Sequence, residues 1–389
     1  MRIAHICLAN FYIEGWGYQE NILTKHHARA GHEVLVLTSE YMFRILGVSE
    51  AEQKRDYINP HGVHVKVLRN SNRYGWYSRF RDYENVYEEL DAFSPDVVFV
   101  HGGQFVALKD VIAYCKRHRE IKLFLDQHAD YYNTPVNTFK RKLVAKFLFG
   151  HWIRKAAKIA QKFWGVTPWR CQYLNDVYGV PKEKIGLLTM GGDDEEIPFD
   201  RATQLRKEVR EALSIPQDAF VVVTGGKIDP TKNIHLLAQA VSEIDRENLH
   251  LIIFGQPNAE MEKVMAAYSS QQRCHNIGWL DASRVYDYFL ASDLAVFPGT
   301  HSVLWEQACA CGVPMLVKDW EGMRHVCVNG NARLLKVDSV EELKTNILQL
   351  LENPRDYEAM KTGAQQCMQQ FKYSEIAKVA IEEVPEPAR

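Results

Sequence analysis

None of the eight cysteines in this 389-residue sequence stands in a C-x-x-C pair. Cys7, Cys115, Cys171, Cys274, Cys309, Cys311, Cys327 and Cys367 are scattered, which excludes the common zinc and thioredoxin-type spacings and predicts reduced thiols. Long apolar runs are also missing: no stretch reaches the roughly 18 to 20 residues of a membrane-spanning helix. The opening MRIAHICLAN has one arginine and a short apolar run, without the small-residue cleavage site of a signal peptide. A cytoplasmic protein is the expectation. There is no basic excess either; a net charge of −2 argues against a general nucleic-acid binder. The glycine loops lack both the G-x-G-x-x-G dinucleotide spacing and the G-x-x-x-x-G-K-[ST] spacing of P-loop enzymes.

What is present is ordinary globular composition, 46% apolar and 25% charged, at a length that suits two domains. Short apolar runs alternate with helix-length amphipathic stretches. RIAHICL, VLVLT, VHVKVL, DVVFVH, KLFLDQH and FWGVT read as strands of a first half. Between the first two, Ile22, Leu23, His26 and Ala30 have helical spacing, and Gly31 ends the run. The charged stretch Gly191 to Leu213 interrupts the alternation and reads as a crossing between domains. The pattern restarts with FVVVTGG, LHLIIFG, LAVFPG, PMLVK and ARLLK. Strands alternating with helices predict two α/β, doubly wound, Rossmann-like domains, with parallel sheets covered on both faces. Their expected extents are residues 1–200 and 201–370; a C-terminal helix and tail at 371–389, with Ile376, Val379 and Ile381 at helical spacing, could cross back to the first.

Ligands of such sheets bind beyond the carboxyl ends of the strands, so residues just after each strand are the candidates. Gly15 and Gly17 follow the first strand and precede a helix start, where amides favour anions; they read equally as a plain turn. His101 and His128 follow two further strands and could bond hydroxyls or phosphate, or move a proton; either could equally be structural. In the second half, Gly225 and Gly226 lead to Lys227 and Lys232, with Asn233 as a helix cap, a good diphosphate cradle. GTHSVLWEQACACG follows another strand. Thr300 or Ser302 could cap its helix, Gly312 ends it, and Glu306 near the start could accept hydrogen bonds from ribose hydroxyls. Cys309 and Cys311 are two apart and point to different sides of that helix, so they do not share a metal. GGDDEE, with Asp193 to Glu196, reads as a solvated linker rather than a metal-binding D-x-D variant; no metal and no cofactor are expected.

These pieces resemble the family-4 retaining glycosyltransferases (glycosyl transferases group 1) of GT-B fold. GGKIDPTKNIHLLAQA, LIIFGQPN, NIGWLDASRVYDYFLASDLAVFPG and WEQACACGVPMLV come in that family's order, and RAGHEVLVLTSE is typical of its first domain. The resemblance implies two domains facing across a cleft and a hexosyltransferase-type enzyme that takes a UDP- or GDP-sugar donor. It implies that Lys227 and Lys232 hold the diphosphate, with lysine at 227 where arginine is more usual. Glu306 would bind the ribose, with Ser302 beside it; Gly278, Trp279 and Leu280 would border the base. Gly17 would approach the phosphates, and His128 would lie near the transferred sugar. Catalysis would rest on His128, Lys232 and Glu306.

One departure stands out. The family commonly has two glutamates eight residues apart, and counting back from Glu306 gives Pro298, or, in the register of QACACG, Gly299 for Gln307. The first glutamate is absent in either register, and His301 is the nearest polar substitute. Acceptors would be glycans or lipid-linked sugars of bacterial surface polysaccharide. RNSNRYGWYSRFRDY and TFKRKLVAKFLFGHWIRKAAKIAQKFW are basic and aromatic, and the second could rest on an anionic membrane surface, peripherally, or simply bury its apolar face. A non-catalytic sugar-binding partner and a sugar-nucleotide epimerase stay open as alternatives. A nicotinamide dehydrogenase is disfavoured by the missing glycine fingerprint.

Overall fold

The computed structural model describes residues 1–9, 12–71, 81–131, 147, 149–269 and 272–382. The chain divides into two compact units, Met1–Thr189 with Ile376–Arg389, and Met190–Glu375.

The first unit is built on an eight-stranded sheet, in the order β3-β4-β2-β1-β5-β6-β7-β8. The strands are β1 Arg2–Cys7, β2 Glu33–Ser39, β3 Asp56–Ile58, β4 His64–Leu68, β5 Val97–His101, β6 Lys122–Gln127, β7 Lys162–Gly165 and β8 Ile185–Leu187. All neighbours pair in parallel except β3, which runs antiparallel to β4 at the edge. The central strands are nearly unbroken apolar runs because helices cover both faces. Ala4, Ile6, Val98, Val100, Leu123 and Leu125 face one way, into a core closed by Leu90, Val111 and Ile153. The alternate positions of β1 and β5 face the other way and carry His5, Phe99 and His101, each fully buried. The helix Gln19–Arg29 contributes His27, also buried, and Gly31 with φ +83 turns the chain out of that helix.

The chain returns to this unit at its end. In the helix Tyr373–Ile381, Ile376, Ala377 and Ala380 are buried, while Val379 is 42% exposed. Two buried donors fix it: His27 Nε2 to the Ala377 carbonyl at 2.8 Å, and Trp164 Nε1 to the Ala380 carbonyl at 3.0 Å.

The second unit has a six-stranded, all-parallel sheet in the order β11-β10-β9-β12-β13-β14. Its strands are β9 Phe220–Gly225, β10 Leu249–Phe254, β11 Cys274–Gly278, β12 Leu294–Phe297, β13 Met315–Lys318 and β14 Ala332–Leu335. Val221, Val222 and Val223 of β9 are wholly buried, each contributing about 1.5 kcal/mol or more of apolar burial. Read outward from β9, this is the doubly wound order, which reverses between β9 and β12. The first unit reverses likewise between β1 and β5.

The division between units falls at Thr189, not at residue 200, and the stretch 191–213 is no linker. Asp193 is buried, and its N–H donates to Tyr286 Oη at 2.9 Å; Asp194 Oδ1 accepts from the Ser374 N–H at 2.9 Å. The charged run continues as the helix Ala202–Ala212, amphipathic rather than solvated, with Leu205 and Val209 buried. Its Arg210 is fully buried and pairs with Asp293 at 2.8 Å, so the charge that suggested a linker is compensated inside the unit.

Candidate functional site

The loops after β9 and β12 flank the reversal point of the second sheet, and they are fastened to each other. Thr300 N–H donates to the Thr231 carbonyl at 3.0 Å, and Asn233 Nδ2 to the Pro298 carbonyl at 3.1 Å. Lys232 Nζ donates to the carbonyls of Thr300 at 2.7 Å and His301 at 3.0 Å. Gly299 is required here: a Cβ would stand 2.3 Å from the Thr231 carbonyl oxygen. Asn233 precedes the helix Ile234–Glu243 with φ 54, but its amide serves this cross-loop bond rather than capping the helix. Neither Thr300 nor Ser302 caps the next helix, Leu304–Ala310, whose first flanking residue is Val303 without a side-chain cap. The half-exposed Ser302 instead offers its carbonyl to the Trp305 N–H at 3.1 Å.

Lys232 is partly buried and Lys227 exposed. Burial pushes the Lys232 ammonium below its ordinary range; Asp229 raises it and Lys227 lowers it further. An ammonium in that position gains when an anion arrives, because it has lost water without gaining a carboxylate partner at contact. The turns after β9, β10 and β11 then stack backbone on backbone. Gly255, at φ +123, would place a Cβ 1.8 Å from the Gly226 oxygen. Its N–H donates to the Gly278 carbonyl at 2.7 Å, and Gly278 has φ +76. Beyond this turn Trp279 is 71% exposed and Leu280 half-buried.

Glu306 is fully buried, in the first turn of the helix Leu304–Ala310. His301 Nε2 lies 2.8 Å from its Oε1 and 3.1 Å from its Oε2; His325 Nε2 lies 2.9 Å from Oε1. Burial alone would raise this carboxyl, but the two imidazoles outweigh it and hold Glu306 well below the usual carboxylate range. A fixed carboxylate with its second oxygen less engaged suits recognition of paired hydroxyls. The ligand atoms of His301, Glu306 and His325 lie within 4.8 Å of one another, the donor set of a cation site. Both rings, however, aim a nitrogen at the carboxylate at hydrogen-bond distance, and His325 Nδ1 is buried without the acceptor that orients a metal-bound imidazole. The trio fits a hydrogen-bonded carboxylate better than an ion. His325 was not legible in the sequence: its loop follows β13, the sheet neighbour of β12, and no local motif marks it. Cys309 and Cys311 are free and buried in the helix.

In the first unit, Gly17 is exposed in the turn between β1 and the helix Gln19–Arg29. Gln19 opens that helix with both amide atoms buried and unpartnered. Beyond β6, His128 is a quarter exposed, with Nε2 at 3.3 Å from Asp126 Oδ2. Burial would lower this imidazole, but Asp126 raises it above its ordinary value. Asp126 also accepts from the Gly102 N–H at 2.9 Å and stands 2.8 Å from His101 Nδ1. Residues 72–80 of the first basic aromatic stretch, and 138–146 with 148 of the second, lie outside the described residues. The described helix Gly150–Ala157 of the second stretch buries Ile153, Ala156 and Ala157 in the core of the first unit. No described helix is long and apolar enough to cross a membrane.

Comparison with known proteins bears on the family and the fold. Residues 22–196 match the family model described as Glycosyltransferase Family 4, and residues 206–367 the one described as Glycosyl transferases group 1. A D-inositol 3-phosphate glycosyltransferase of Jonesia denitrificans is 22% identical over 219 residues, 52% of this chain and 52% of the relative. A lipopolysaccharide core biosynthesis glycosyltransferase, LpsD of Rhizobium meliloti, is 26% identical over 46% of this chain and 52% of its own length. The chain thus spans about half the length of these curated relatives. Among solved structures, Anabaena Alr3699/HepE in complex with UDP superposes with TM-score 0.67 at 17% identity, covering 97% of this chain and 98% of that one. The UDP-GlcNAc 2-epimerase of Neisseria meningitidis gives TM-score 0.62 at 15% identity, covering 98% and 99%. At such identities the likeness is one of fold, which transferases and epimerases share. With matches in both units and two doubly wound sheets, the chain belongs to the glycosyl transferases group 1, of GT-B fold.

Proposed function

We propose that this protein is a retaining glycosyltransferase that moves a sugar from a nucleoside-diphosphate sugar to a glycan or lipid-linked acceptor in bacterial surface glycoconjugate synthesis. The observation that carries this reading is the fastened pair of loops at the reversal point of the second sheet, which presents a partly buried Lys232 beside the fixed carboxylate of Glu306. A departing nucleoside diphosphate gains negative charge as the sugar bond breaks. Lys232 and Lys227 meet that charge and lower the barrier. Glu306 takes the ribose hydroxyls; His301, bonded to Glu306, faces the sugar in place of the family's absent glutamate. Gly278, Trp279 and Leu280 border the base. By the family resemblance, Gly17 is read as a neighbour of the phosphates and His128 as a neighbour of the transferred sugar. The name of the lipopolysaccharide relative supports a bacterial envelope setting; a place in the cytoplasm at the membrane's inner face is part of the same proposal.

The epimerase shares the fold, but the group 1 match over the second unit favours transfer. The test is incubation with a panel of UDP- and GDP-sugars, with and without membrane extract, measuring nucleoside diphosphate release. One donor is expected to be consumed, and Lys232→Ala to cut turnover by about 10²-fold or more, as loss of a transition-state donor does. Interconversion of donors without release would point to an epimerase. Wild-type turnover in Lys232→Ala would refute the site.

A further inference from the structure

Three buried histidines of the first unit form one continuous row. His27 Nε2 donates to the Ala377 carbonyl at 2.8 Å. His27 Nδ1 meets His5 Nε2 at 2.9 Å, and His5 Nδ1 meets His101 Nε2 at 2.9 Å. His101 Nδ1 meets Asp126 Oδ2 at 2.8 Å. The sheet explains the row: His5 and His101 sit on one face of neighbouring strands, Asp126 is the cross-strand partner of His101, and two helices cover that face.

The hydrogens can be counted. Each of the four contacts needs one hydrogen between its two heavy atoms. A carbonyl stands at one end and a carboxylate at the other, and neither supplies a hydrogen. Three neutral imidazoles carry one N–H each, so one hydrogen is missing. It must be a fourth proton, on a ring or on Asp126 Oδ2. Asp126 already accepts from the Gly102 N–H at 2.9 Å and faces His128 at 3.3 Å, an environment made for an anion.

We propose that His27, His5 and His101 together hold one proton more than three neutral rings, balancing the buried charge of Asp126, and that this row sets the charge and orientation of His128 through Asp126. Every link keeps its hydrogen when the proton moves. Passing it from His101 Nε2 to His5 Nδ1, and from His5 Nε2 to His27 Nδ1, leaves both end donors in place. The row is therefore a proton store that ends blind at Ala377, not a path through the unit. Burial opposes charge on His5 and His27, and the carboxylate that the proton balances stands at the His101 end. The other groups facing His128 are Glu20 and Arg170, the second paired with Asp130 at 3.2 Å; His26 and His32 face His27. His5, His101 and Asp126 are positioning residues, and their bearing on catalysis rests on the role read for His128 above.

Asp126→Asn is the informative variant. Its Oδ1 can still accept from Gly102, while its Nδ2 supplies the missing hydrogen to His101 Nδ1. The row then becomes neutral with every link satisfied, and His128 loses its carboxylate. The experiment is ring-nitrogen NMR on protein labelled with 15N-histidine, near pH 7.5, with signals assigned by single His→Gln variants. In the wild type the three rings are expected to show four protonated nitrogens, either one imidazolium or an average along the row. In Asp126→Asn they are expected to show three, and the His128 midpoint to fall by about one to three pH units. Three neutral rings in the wild type, or a His128 midpoint unmoved in Asp126→Asn, would overturn the proposal. The wild-type spectrum decides the charge of the row even if the variant does not fold. Neither spectrum needs a donor sugar, so an absence of turnover leaves this result standing, and neutral rings leave the turnover assay standing.

Discussion

Glu306 is a carboxylate whose ionised form is bound by two imidazoles, so its contribution to stability depends on pH in a definite direction. Its folded value is depressed below the ordinary one of 4.5. The contribution is complete above the ordinary carboxylate range and is lost as pH falls toward the depressed value. Glu306→Gln removes that dependence. The variant is expected to melt lower than the wild type at pH 7 but to lose less of its melting temperature between about pH 5 and pH 3. Parallel melting curves in that window would contradict the ionised assignment. At this scale the sequence pointed to Lys227, Lys232, His301 and Glu306 as neighbours of strand ends, and the structure joins Lys232 to the His301 carbonyl and the His301 ring to Glu306. It did not point to His325, His5, His27 or Asp126. Their partners lie on other strands and helices, and a buried polar side chain inside an apolar run announces a partner without naming it.

The elements carry the site through close backbone approach. Gly255 and Gly299 let neighbouring turns stack where a side chain would collide with main chain, while Gly226 holds φ +107 with the Leu304 side chain 3.0 Å from where its Cβ would stand. Gly255→Ala meets backbone at 1.8 Å and also strains φ +123, so the turns must part. A destabilisation of about 2 kcal/mol or more is expected, read by denaturant unfolding, with weakened nucleotide binding beside it. A value under about 0.5 kcal/mol would mean that the turns are not locked. The long parallel strands were legible because unbroken Val, Ile, Leu and Phe runs need two covered faces. β3, β8 and β11 were not. DYI and IGL are too short for a period to show, and CHNIG is polar and half-exposed at a sheet edge. The helix Ala202–Ala212 was misread as a linker because its charges dominate composition, while the ion pair that compensates Arg210 comes from Asp293, far along the chain.

At the scale of the molecule, two doubly wound sheets are read from one alternating pattern, and the chain ends by returning to the unit in which it began. The alternation gave the architecture; the point of division depended on which sheet buries residues 190–213, which composition does not encode. The account's central claim is that the second unit's fastened loops bind a nucleoside diphosphate through Lys232. Calorimetric titration of UDP and GDP into the wild type and Lys232→Ala tests it most directly. One nucleotide is expected to bind the wild type, more weakly as salt rises, and at least about tenfold more weakly to the variant, a difference of ~1.4 kcal/mol. No binding of either nucleotide, or equal affinity in Lys232→Ala, would contradict it.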